Sequence, residues 1–90
     1  MLSGVITSYG YPAKSSIANF TYKFYHNGKE HIASNSVNVR NPRQFVGKRF
    51  PLKFSKSTKK SQILIRPRDF EAYGLNYPDS LAWVREYVIN

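Results

Sequence analysis

The sequence predicts a mainly β fold: a small antiparallel barrel of five strands, SH3- or OB-like in size, with a C-terminal helix. Three observations carry this. Asn27-Gly28 stands between two runs of alternating apolar and polar residues, the sequence signature of a tight hairpin. Aromatic residues make up 16% of the chain, with seven Tyr, six Phe and one Trp, enough to build a dense core in 90 residues. Turn-forming residues separate runs of strand length, and closing such strands into a barrel removes the exposed edges an open sheet would leave.

Taken in order, "SGVITSYG" (residues 3–10) is a short strand ending at Gly10, and "YPAKSS" (11–16) is a turn-rich connection. The hairpin "SIANFTYKFYHNGKEHIASNSV" follows. A type I′ turn at Asn27-Gly28 pairs His26 with Lys29, Phe24 with His31, Tyr22 with Ala33 and Phe20 with Asn35. One face then carries Ala18, Phe20, Tyr22 and Phe24 opposite His31, Ala33 and Val37. It must be the core face, because a slip of one residue would put the aromatics into water. The other face carries Thr21, Lys23 and Tyr25 opposite Ser34, Ile32 and Glu30.

"NVRNPRQFVGK" (38–48) reads as a loop, broken by Pro42 and closed by Gly47. In "RFPLKFS" (49–55), Phe50, Leu52 and Phe54 point inward while Arg49 and Lys53 point outward. Pro51 belongs to the outward set and has no N–H to give a ladder, which predicts an edge position. "KSTKK" (56–60) is a turn, with Lys56, Lys59 and Lys60 at its tip, and "SQILIRP" (61–67) is a short apolar strand stopped by Pro67. The barrel thus covers residues 3–67 of a single domain, 1–90. The remaining "NYPDSLAWVREYVIN" predicts a helical segment over 77–89. Pro78 suits a first helical position, and Asp79 suits the positive end of the dipole. Leu81, Val84 and Val88 share one face, and Trp83 and Tyr87 another. The β-branched and aromatic content of this segment makes a sixth strand the competing reading.

The net charge is +9, and it is unevenly spread. No Asp or Glu occurs from His31 to Arg68, while ten basic residues fall between Arg40 and Arg68. A field of one sign attracts nucleic acid, anionic lipid headgroups or an acidic protein, and it also keeps a small domain soluble. The absence of Cys excludes disulfides and thiolate chemistry. No run approaches the roughly 18 apolar residues of a membrane span, and "MLSGVITSYG" has neither the basic leader nor the apolar run of a secretory signal. The expectation is a soluble chain, cytoplasmic if Met1 is the native start; the alternative is a domain cut from a longer protein.

Candidate chemistry is sparse. His26 and His31 share a face at diagonal positions, but zinc takes about four ligands and no Cys or acid belongs to that face, so no metal is expected. No acid is placed to orient a histidine beside a serine. Asp69 and Glu71 flank Phe70 and read as offsets to the basic strand before them, and no Gly-rich phosphate loop occurs. The sequence therefore predicts no catalytic residue and no cofactor. "NFTYKFY" invites a base-stacking reading, but Phe20, Tyr22 and Phe24 are the only credible core of the hairpin, each worth about 1.5–3 kcal/mol when buried. Tyr25, beside Lys23 on the outer face, is the candidate stacking residue. The candidate polyanion-binding patch comprises Arg40, Arg43, Lys48, Arg49, Lys53, Lys56, Lys59, Lys60, Arg66 and Arg68.

Three stretches carry a resemblance: "GVIT" at residues 4–7, "FTYKFYHNGKEHIASNSV", and "VGKRFPLKFSKSTKKSQILI". Their order resembles a small bacterial domain of unknown function whose members often follow a membrane-spanning helix. The layout covers roughly residues 4–66, and the segment from Phe70 onward lies outside it. The resemblance implies a small β-barrel with no known catalysis. The expected function is a non-catalytic binding or accessory module whose basic surface meets an acidic protein or other polyanion. The competing expectation is a sequence-tolerant nucleic-acid-binding barrel.

Overall fold

The Asn27-Gly28 turn sets the frame of the molecule. In the computed structural model, which describes residues 2–12 and 16–89, both turn residues occupy the left-handed region, Asn27 at φ 53° and Gly28 at φ 74°. Strands β2 (Ala18–His26) and β3 (Lys29–Val37) pair without a slip from His26↔Lys29 to Ala18↔Val37, the register the turn dictates. Phe20, Tyr22 and Phe24 are buried, and Lys23 and Tyr25 on the opposite face are exposed. Half of the connection expected over 11–16, residues 13–15, lies outside the described residues.

Strand β1 (Leu2–Gly10) lies against β2, with a bulge between the Ile6 and Ser8 pairs, and its other edge takes β4 (Arg49–Ser55). Strand β5 (Lys60–Ile63) follows β4, so the sheet order is β3-β2-β1-β4-β5. Five antiparallel strands curl into a nearly closed barrel, as the sequence predicts. Gly4 permits the close packing on β1: a Cβ there would lie 2.9 Å from Leu52 Cδ2 and 3.2 Å from Tyr22 Cδ2.

The barrel closes along the β3–β5 seam through side chains. The Tyr22 hydroxyl donates to Asn35 Oδ1 at 2.7 Å and lies 2.6 Å from Ser61 Oγ. Asn35 Oδ1 also accepts from the Ile63 N–H at 2.9 Å, and Asn35 Nδ2 donates to the Ser61 carbonyl at 3.3 Å. The amide thus meets a donor and an acceptor that the outer edge of β5 leaves without ladder partners. Burial pushes the Tyr22 hydroxyl pKa up.

Three expectations are corrected. Pro51 is not on an edge strand: β4 lies between β1 and β5. The proline is tolerated because it sits where the β4–β5 ladder ends; its carbonyl accepts from the Leu64 N–H at 2.9 Å, and no N–H is needed in return. Phe54 does not follow Phe50 and Leu52 fully inward; it is half-buried at the mouth of the barrel. Pro67 does more than stop a strand. It opens a short helix, α1 (Pro67–Glu71), whose Asp69 carboxylate accepts from the Arg66 backbone N–H at 2.9 Å and from its guanidinium at 3.0 Å.

The C-terminal helix is a 3-10 helix over Asp79–Tyr87, with Pro78 as its N-cap rather than its first residue. Its period of three places Leu81 and Val84 in line against the core, where both are buried. The sixth-strand reading survives only as a single bridge, Val39↔Val88. A second 3-10 turn, Pro42–Phe45, inserts Phe45 beneath the barrel, 5.4 Å from the Phe20 ring and 5.2 Å from Trp83.

Candidate functional site

The turns of both hairpins, at 27–28 and 56–59, lie at the same end of the barrel. Strands β2, β3 and β4 contribute rings there. Phe54 of β4 lies 4.9 Å from His26, 5.6 Å from Phe24 and 5.8 Å from His31, and Phe24 and His31 stack at 5.1 Å with 12° between their planes. Phe24 is sealed beneath, whereas Phe54, His26 and His31 are half-buried and keep part of their surfaces open.

Three neighbouring depressions share Phe54 as a wall. One, of about 370 Å³, lies between the two turns and is lined by His26, His31 and Phe54 with Lys29, Lys56 and Lys59. A second, of about 350 Å³, adds Leu2, Leu52 and Lys53. The third, of about 700 Å³, runs past Lys53 and Lys60 to Ser61, Gln62 and Tyr73. Tyr73 is 47% exposed, and the Lys53 ammonium stands 5.6 Å from its ring centroid. No Asp or Glu lines any of the three. Lys59 holds its place in the turn at φ 56°, a left-handed conformation that a β-substituted residue adopts at some cost. The arrangement can hold a large anion against flat apolar surface.

The ten basic residues singled out in the sequence divide. Lys53, Lys56, Lys59 and Lys60 converge on the groove around Phe54. Arg66 and Arg68 line a separate depression of about 400 Å³ with Arg85 and Glu71. Arg66 is committed to Asp69 at 3.0 Å, the one ion pair among the described residues. Arg49 donates to Ser3 Oγ at 3.2 Å on the outer face, and Lys48 Nζ stands 6.0 Å from the Trp83 ring centroid. Arg40 and Arg43 are exposed in the connection before β4. Tyr25 is exposed but stands apart from the groove, and its hydroxyl donates to Glu30 Oε2 at 3.0 Å. That hydrogen bond to a carboxylate pushes the Tyr25 hydroxyl pKa up.

Among the charged and ring-bearing groove residues, the sequence patch omitted Lys29, Phe54, Tyr73 and the two histidines. Lys29 was recoverable, because the turn register places it beside His26. Tyr73 carried no signal, since nothing in the sequence says where the chain lies after α1. Among the described residues, no group of three or more His, Cys, Asp and Glu lies together as a metal site would require. No helix among them is long and apolar enough to cross a membrane. Compared with family models, curated proteins and solved structures, the chain has no significant match.

Proposed function

We propose that this chain is a non-catalytic binding or accessory module whose basic surface meets an acidic protein or another polyanion. One observation carries the reading: Lys29, Lys53, Lys56, Lys59 and Lys60 gather around Phe54 with no acid on the lining. Ammonium groups held at one end of a barrel repel one another, and a polyanion relieves that repulsion while releasing its own counterions. The groove offers no carboxylate for general acid–base work.

Charge reversal tests this. The variant carrying Lys56→Glu, Lys59→Glu and Lys60→Glu changes exposed residues of the turn and of the first position of β5 and leaves the core intact. Titrated with labelled polyglutamate and with a labelled oligonucleotide, the wild type binds at low salt with an affinity that falls steeply as salt rises. The triple variant loses binding while its thermal unfolding stays close to wild type. Equal binding by wild type and variant, or no binding to either polyanion at low salt, overturns the reading.

A further inference from the structure

We infer that the groove around Phe54 takes single-stranded nucleic acid, with bases on its rings and phosphates on its lysines; this rests on the polyanion reading above. The ligand must explain two features at once. The lysines call for repeated negative charge, and the open ring surfaces of Phe54, His26, His31 and Tyr73 call for flat apolar groups. An acidic peptide satisfies the first and leaves the rings without a partner. A nucleotide carries a planar base and a phosphate in the same repeating unit and satisfies both.

The layout matches that alternation. Between the turns, the rings of His26, His31 and Phe54 are rimmed by Lys29, Lys56 and Lys59. Past Phe54 the lysines continue as Lys53 and Lys60, and a second open ring, Tyr73, stands within 5.6 Å of the Lys53 ammonium. Basic residues interleaved with aromatics along a concave path are what a single strand uses: the cations follow the backbone and the rings stack its bases. A duplex keeps its base faces inside its own stack, where these rings cannot reach them. A single free nucleotide would fill one depression and leave the adjoining two unused. Stacking accepts any base, so binding is tolerant of sequence.

The experiment compares three labelled ligands at low and physiological salt: oligothymidylate of about ten nucleotides, an abasic sugar-phosphate strand of the same length, and polyglutamate of matching charge. The oligothymidylate binds about ten- to a hundredfold more tightly than the abasic strand, the gain expected from stacking. Tyr73→Ser and Phe54→Leu each remove part of that gain, and together most of it, and leave affinity for the abasic strand unchanged, which also verifies that the variants are folded. Equal affinity for the thymidylate and abasic strands overturns the inference but leaves the polyanion reading standing. Polyglutamate binding more tightly than the thymidylate strand also overturns it, in favour of an acidic protein. Absence of binding to all three at low salt overturns both.

Discussion

Phe50 and Phe54 lie on the same strand with even spacing, yet they meet different fates. Phe50 is fully buried at the end of the barrel where the C-terminal segment docks, with Trp83 6.2 Å and Phe45 6.0 Å away. Backbone bonds hold that segment in place: the Arg40 N–H donates to the Tyr87 carbonyl at 2.6 Å, and the Ile89 N–H to the Asn38 carbonyl at 3.3 Å. Phe54 stands at the other end, where among the described residues only Tyr73 reaches in from the chain after α1 and five lysines surround the opening. Rings cluster at both ends. The covering differs, and so does the charge: the segment that seals one end brings Asp79 and Glu86 with it, while no acid lines the groove at the other. Strand alternation decides which face a residue takes, and remote chain decides whether that face stays open.

The largest effect that separates the two ends is cavity formation. Phe50→Ala should cost about 3–5 kcal/mol, a large share of the roughly 5–15 kcal/mol a domain has, whereas Phe54→Leu should cost less than about 1.5 kcal/mol. Urea denaturation of the two variants reads this directly, and equal losses would break the comparison. Next comes the seam between β3 and β5. Asn35→Ala leaves the Ile63 N–H and the Ser61 carbonyl without their partner and should cost about 1–3 kcal/mol. Hydrogen exchange should show the Ile63 amide losing protection while the amides of the β2–β3 ladder keep theirs.

Alkali should loosen the sealed end. The Tyr77 hydroxyl lies 2.8 Å from the Ile65 carbonyl and 3.0 Å from the Leu81 carbonyl, and burial pushes its pKa up to about 12 from an ordinary value of 10.0. The folded state therefore holds this proton more tightly than the unfolded state. Its contribution to stability is present in full below pH 10 and is lost as pH rises towards 12. An absorbance titration should show Tyr77 among the last tyrosines to ionise. Trp83 fluorescence should change over the same range in the wild type and not in Tyr77→Phe. The smallest effect concerns Lys59: Lys59→Gly relieves its left-handed backbone and should stabilise by up to about 1 kcal/mol while weakening polyanion binding. A variant that is less stable and binds equally well would separate this lysine from the groove.

The legible and illegible parts of this chain follow the range of the forces involved. The β2–β3 register was readable because a two-residue turn at Asn27-Gly28 fixes every pair up to Ala18↔Val37. The inward set of β4 was readable by alternation, but its depth along the barrel axis was not, so Phe54 passed for core. Pro51 misled in the same way: a missing N–H says that a ladder stops there, and β5 stops there although β4 is internal. The C-terminal helix was expected from Pro78, Asp79 and the apolar spacing. Its 3-10 form was not, because docking onto Phe45 and Phe50 selects the period. Of the groove, the turn lysines were visible as charge, but the rings that give them a chemical context meet only in three dimensions.

The seam held by Tyr22 and Asn35 has a mechanical consequence. A cylinder stitched by continuous ladders must tear one of them to open, whereas this one has a line crossed by the side-chain bonds of Tyr22 and Asn35. Parting along that line unrolls the barrel into a curved sheet with every neighbouring strand pair still joined. Counted in hydrogen bonds, parting β3 from β5 breaks the three side-chain bonds to β5 and no ladder. The third depression around Phe54 borders that line at Asn35 and Ser61. A ligand seated there would act as a clasp across it, so that occupancy of the groove and resistance to unrolling would rise together.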